Sequence, residues 1–248
     1  MIELSRTLDL YPAPDPDAPL VLYIHGGGWQ HGDKADDAAN RLAPMAALGV
    51  NVASVNYRLA PGTTFPGPVH DVKGAVRWLR ANGEKFGLRT EKIGVWGASA
   101  GAYLGSLLAL TPGRFEGEGN LDRSSAVQAA VHWFGQADLA VSASRSAIEA
   151  RLLPFAFEQA FLGGDTAKAA DLSLLRHVSP QAPPFLISHG DRDRIIPPSE
   201  SQALHDALSR SGVDSRFLLL GGAGHEDPAF DSPASLAMTA AWLRTMLG

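Results

Sequence analysis

Ser99 stands at the centre of Gly97-Ala98-Ser99-Ala100-Gly101, after a short apolar run from Lys92 and before a helical apolar run through Leu104, Leu107 and Leu108. A serine hydroxyl attacks carbonyl carbon only when a neighbouring base takes its proton, so the chemistry this residue could do calls for an imidazole and a carboxylate elsewhere in the chain. The five residues alone say little, because a shuffled chain of this composition contains some G-x-S-x-G about one time in five. Their setting says more. A serine on a sharp strand-to-helix turn sits in strained backbone that exposes its Oγ, and side chains two positions away on either side would collide. The alternative, a glycine-rich turn with an incidental serine, loses ground as the other motifs are counted.

His25-Gly26-Gly27-Gly28-Trp29 closes the apolar run that begins at Leu20. Attack on a carbonyl places negative charge on its oxygen, and backbone N–H groups surround that oxygen only where no Cβ blocks the approach. The amides of Gly27, Gly28 and Ala100 are the expected oxyanion donors, each worth about 3 kcal/mol in the transition state. A phosphate-binding loop is the rival reading, and it fails on spacing: neither G-x-G-x-x-G nor a Walker lysine is present. His25 is expected to shape this loop by hydrogen bonding and not to act as a catalyst.

Two further loops follow strands. His189-Gly190-Asp191-Arg192-Asp193-Arg194-Ile195-Ile196-Pro197 begins where an apolar run ends, and there Asp191 and Asp193 compete for one role. Gly221-Gly222-Ala223-Gly224-His225-Glu226 follows the run ending at Leu220, and its glycines would let the loop carry an imidazole close to the neighbouring strand ends. Among the eight histidines, His225 has the right place and the right kind of loop. His31, His70, His132, His177 and His205 read as surface or core residues, and no pair has the spacing of a metal site.

The elements that must position these residues alternate short apolar runs with stretches of helical period, which argues for a mostly parallel sheet with helices on both faces. Leu20 to His25, Val50 to Val55, Lys92 to Gly97, Ala126 to Val131, Phe185 to Ser188 and Arg216 to Leu220 read as buried strands. Val72, Ala75, Val76 and Leu79 form one helical stripe after Pro68, and Leu204 and Leu208 another after Ser199. Leu236, Ala240, Leu243 and Leu247 form a third, opened by Ser232 as N-cap and Pro233 at the first helical position. From about residue 135 to 178 no strand is evident, and the stretch reads as a small helical insertion. Its Leu152, Leu153, Phe155, Phe157 and Phe161 would line an acyl pocket or anchor the insertion to the core.

With 248 residues the chain is long enough for one sizeable core, and it reads as a single domain over 1–248. Its 45% hydrophobic and 19% charged residues are ordinary for globular proteins. A net charge of -5 with scattered Lys and Arg gives no basic footprint, so nucleic acid is not an expected partner. The absence of cysteine removes disulfides, thiolate metal sites and a cysteine nucleophile together. The residues from Met1 lack a secretory pattern and no apolar stretch spans a bilayer, so a cytoplasmic location away from the membrane is expected.

Taken in order, these motifs resemble those of the HGGG-type carboxylesterases of the α/β-hydrolase superfamily, near the hormone-sensitive-lipase-like and bacterial feruloyl-esterase-like members. The resemblance extends to Gly32-Asp33-Lys34, to Asn56 through Pro61, to Phe65-Pro66 leading into Asp71-Val72, and to Ser179-Pro180 with Pro183-Pro184. It implies an α/β-hydrolase fold and selects Asp193 over Asp191, which is left as a turn or capping residue. It also implies the chain order Ser99, Asp193, His225 for a catalytic triad and hydrolysis of a small-molecule ester through an acyl-enzyme, with no metal or organic cofactor. Two departures stand out. Only about twenty residues precede the first strong strand, so the first strand of the usual sheet is expected to be missing or reduced and the pocket more open. Ala102 and Tyr103 replace a second glycine after the serine turn. Arylformamidase or other amide hydrolysis would use the same residues, and a non-catalytic ligand receptor on a hydrolase fold is the reading from outside enzymes.

Overall fold

A computed structural model describes residues 7–140 and 157–248 of the chain. Among them seven strands form one sheet: β1 (Leu8–Tyr11), β2 (Leu20–Ile24), β3 (Asn51–Val55), β4 (Ile93–Ala98), β5 (Ala129–Trp133), β6 (Phe185–Gly190) and β7 (Ser215–Leu220). Their order is β1-β3-β2-β4-β5-β6-β7, and every pairing is parallel except that of β1 with β3. The sheet expected from the alternation of runs is therefore present, with the α/β-hydrolase fold that the motifs imply.

The first strand is reduced and not missing. Four half-buried residues of β1 pair antiparallel with β3, Leu8 opposite Val55, on the sheet edge. One expected strand moves along the chain: β5 starts at Ala129 and runs into Trp133, where Ala126 to Val131 was predicted. Before Ala129, Gln128 pairs with Ile93 by its side chain as well as its backbone, so the ladder proper starts one residue later.

Six α-helices surround the sheet among the described residues: α1 (Ala43–Ala47), α2 (Gly67–Asn82), α3 (Ala100–Leu110), α4 (Phe157–Leu162), α5 (Pro198–Arg210) and α6 (Pro233–Leu247). Because side chains of a strand alternate between faces, buried β2 feeds two cores. Leu20, Leu22 and Ile24 join Val72, Val76 and Leu79 of α2, Leu104 and Leu108 of α3 and Leu204 and Leu208 of α5. Val21 and Tyr23 join Met45 of α1 and Leu236, Ala240 and Leu243 of α6 on the other side. The three predicted stripes are thus the faces that pack. Ser232 caps α6 by accepting from the Ser235 N–H at 3.3 Å, with Pro233 at the first helical position.

Two features of this architecture position the site. The chain passes from β2 out to β3 and returns across β2 to β4, so the direction of winding reverses between β2 and β4, the place where open α/β sheets assemble their sites beyond the carboxyl ends of the strands. Helix α3, which begins there, is buried at every residue, as befits a helix apolar all round. The predicted insertion falls partly on 141–156, which lie outside the described residues together with Leu152, Leu153 and Phe155. Its described part holds α4 and short 3-10 turns. No helix among the described residues is long and apolar enough to cross a membrane.

Candidate active site

Ser99 occupies the turn from β4 into α3 with φ 54° and ψ -121°, a backbone conformation that residues bearing a Cβ rarely adopt. What holds it there is the close passage of the chain on both sides. A Cβ at Gly97 would lie 2.2 Å from the Gly101 carbonyl oxygen, and one at Gly101 would lie 2.0 Å from the Ile24 carbonyl oxygen of β2. The predicted collision on either side of the serine is therefore real. Gly101→Ala is expected to cost about 3 kcal/mol or more in urea unfolding, because backbone and not a flexible side chain must yield. Gly224→Ala, where a Cβ meets nothing within 4 Å, should change stability by less than about 0.5 kcal/mol. Equal effects of the two would contradict this account of the turn.

The glycine loop after β2 reaches the same place, because Ile24 and Gly97 are partners in the ladder. Gly27, Gly28 and Trp29 all have positive φ, at 105°, 60° and 59°. No hydrogen bond among the described residues takes up the N–H of Gly27, Gly28 or Ala100. The loop is braced from behind. The Trp29 indole donates to the Ala100 carbonyl at 3.2 Å, tying loop to elbow. His25 lies 2.8 Å from the Gly26 carbonyl through Nδ1 and stacks on Tyr57, so it shapes the loop as expected. The Asn56 amide donates to Asp33 at 2.8 Å, and the Lys34 N–H donates to the Asn56 side-chain oxygen at 2.7 Å, which gives the Gly32-Asp33-Lys34 and Asn56 motifs a common job.

The remaining two groups come from strand ends further along the sheet. His225 Nε2 is 2.9 Å from Ser99 Oγ, and its Nδ1 is 2.7 Å from Asp193 Oδ2. The other carboxylate oxygen, Oδ1, accepts from the backbone N–H of Ile195 and Ile196 at 2.8 and 2.9 Å. Burial pushes the Asp193 carboxyl up, but hydrogen bonds from His189 and His225 outweigh it and hold the group well below the usual carboxylate range. Asp193 is therefore a charged carboxylate at neutral pH. Asp191 accepts from the Gly222 N–H at 2.7 Å and so pins the histidine loop, the turn role expected of it.

One expectation needs correcting. Of the glycines before His225, only Gly222, with φ 83°, requires its residue type; a Cβ at Gly221 or Gly224 meets open space. The close approach is made instead by Gly190, whose Cβ would lie 2.3 Å from the Ala223 carbonyl oxygen. The glycine that lets the two loops meet is on the acid's strand.

Three residues near the site carried no role in the sequence reading. Phe134 at the end of β5 sets its ring edge-on to His225, 5.1 Å between centroids. His189 contacts Asp193 Oδ2, the same oxygen that His225 contacts. Glu226 has φ 52° and its carboxylate reaches over Gly26, 3.2 Å from where a Cβ would stand. From the insertion, the Phe157 ring packs directly on Gly28, and Phe161 stacks on Trp29 at 4.6 Å as an anchor. Tyr103 is fully buried, and its hydroxyl donates to the Leu172 carbonyl at 2.8 Å, filling the space that a glycine would leave. Among the described residues no three His, Asp or Glu side chains gather into a set that could hold a metal ion.

Known proteins resemble this chain over most of its length. The family model BD-FAE matches residues 8–208. Esterase LipC of Mycobacterium tuberculosis is 36% identical over 91% of this chain and 56% of its own length. Esterase LipQ of the same organism is 32% identical over 95% of the chain and 55% of its own. The chain thus spans about half the length of the curated relatives it matches. Among solved structures, a truncated carbohydrate esterase from gut microbiota superposes with a TM-score of 0.88 at 26% identity, covering 98% of this chain and 91% of that one.

Proposed function

This chain belongs to the BD-FAE family of α/β-hydrolases, and from that premise we propose that it is a serine carboxylesterase acting on short-acyl or aryl esters, with a sugar as the favoured alcohol. The observation that carries the reading is the continuous relay from Ser99 Oγ through His225 to Asp193, at 2.9 and 2.7 Å. His225 takes the serine proton through Nε2 as Oγ bonds to the ester carbon, and the developing oxyanion is held by the amides of Gly27, Gly28 and Ala100. The imidazolium then protonates the leaving alcohol. Water repeats the sequence on the acyl-serine, releasing the acid and restoring Ser99.

Two observations support the substrate class. The Phe157 ring lies on Gly28, so the space beside the oxyanion loop suits a small acyl group. The alcohol assignment rests on the likeness, over nearly the whole chain, to a protein described as a carbohydrate esterase. Turnover of p-nitrophenyl esters from acetate to octanoate, beside acetylated sugars, tests both. Acetate to butyrate should be preferred, with activity rising with pH as His225 loses its proton. A fluorophosphonate should label Ser99 stoichiometrically. No ester turnover together with formamide turnover would replace the ester reading by an amidase one, and no labelling would replace it by a receptor.

A further inference from the structure

His189 is buried completely at the end of β6, four residues before Asp193, and the reaction as derived above does not use it. Its ring is held at both nitrogens. Nε2 lies 3.1 Å from Asp193 Oδ2 and 2.9 Å from the Ile196 carbonyl oxygen. Nδ1 lies 2.7 Å from the Ser201 hydroxyl on α5. A charged carboxylate and a carbonyl can only accept, so Nε2 must carry a proton, and Nδ1 is then free to accept from Ser201.

We propose that His189 is a positioning residue for hydrolysis: an imidazole that donates through Nε2 to the oxygen of Asp193 that serves His225, fixing that oxygen in place and limiting its basicity. The inference rests on the Ser99, His225, Asp193 reading. Its physical content is a count of donors. Asp193 Oδ1 takes two backbone N–H groups, and Oδ2 takes one from His225 and one from His189. Without the last, more of the carboxylate charge falls on His225, so its imidazolium is stabilised and its affinity for a proton rises.

The other ionisable groups around His189 do not supply an equivalent effect. His132 on β5 is held between Ser106 and the Gly135 carbonyl, and burial pushes it down to about 4, so it is neutral where esterases work. Glu200 on α5 spends one oxygen on the backbone N–H groups of Ala137 and Asp138, at 2.9 Å each. Burial and the nearby Asp138 charge push the Glu200 carboxyl up, against those two hydrogen bonds.

The test is the pH profile of kcat/KM for p-nitrophenyl acetate in three proteins. In His189→Phe the acidic limb should move up by about half a pH unit or more, with kcat reduced several-fold and KM unchanged. His189→Gln, which keeps an N–H to offer, should lie between the two. An acidic limb that stays at its original position in a folded His189→Phe variant overturns the proposal, whereas an unmodified protein whose ester turnover survives Ser99→Ala overturns the esterase mechanism instead. Nitrogen-15 NMR of the unmodified protein gives a check that needs no variant to fold. The His189 ring should carry a proton on Nε2 at neutral pH, and a ring protonated at Nδ1 alone overturns the assignment.

Discussion

Ser99→Ala is expected to lower kcat for p-nitrophenyl acetate by about four to six orders of magnitude while leaving unfolding within about 1 kcal/mol of the original. The two halves of that expectation have separate physical grounds. Removing Oγ removes the atom that bonds to the ester carbon, and no second hydroxyl stands 2.9 Å from His225 Nε2 among the hydrogen bonds of the described residues. The turn itself is indifferent to the change, since alanine and serine both place a Cβ at φ 54° and meet the same backbone. Residual turnover above that of water should remain, because the proposed oxyanion donors, the amides of Gly27, Gly28 and Ala100, are untouched by the change. Retention of more than a tenth of the activity would remove Ser99 from the mechanism.

Asp193→Asn should cost about three to four orders of magnitude, and the loss should not be recovered by raising the pH. Two backbone N–H groups point at Oδ1, so the asparagine oxygen must take that place and its NH2 must take the place of Oδ2. An NH2 facing His225 Nδ1 makes that nitrogen an acceptor and moves the ring proton to Nε2. The nitrogen 2.9 Å from Ser99 Oγ is then already occupied by a proton and cannot take another from the hydroxyl. A variant that merely lost a charge would show a shifted acidic limb instead. Steady-state kinetics from pH 6 to 10 separates these cases, and a loss below tenfold would show that Asp193 does not set the tautomer.

Much of this site could be read before any coordinates because its parts are governed by local rules. Gly97 and Gly101 are demanded by backbone a few residues away in the chain or on the adjacent strand, and such demands leave a spaced signature. Strands β2, β4 and β6 are fully buried, so each is a plain apolar run, whereas β7, expected to be buried, lies on the sheet edge with its residues half-buried or exposed. Strand β1 escapes that rule, since Leu8 to Tyr11 are half-buried on an edge and alternate in polarity over only four residues. Phe134 and His189 were illegible for another reason. Phe134 acquires its neighbour His225 through the order of β5, β6 and β7 in the sheet, whereas His189 meets Asp193 only four residues on in the same loop, and residue type alone announces neither contact. The glycines before His225 show the opposite failure: their type suggested a close approach that the chain makes at Gly190 instead.

The reactive hydroxyl and its base lie 126 residues apart in the chain. Synthesis proceeds from the amino end at about 5–20 residues per second, so on the ribosome Ser99 and the glycine loop exist for about 6–25 s before the imidazole that activates the serine has been made. During that interval the growing polypeptide carries a nucleophile without its general base. On the proposed mechanism the serine relay is complete only once β7 is paired with β6 and His225 stands beside Ser99, so the growing chain lacks general-base catalysis until then.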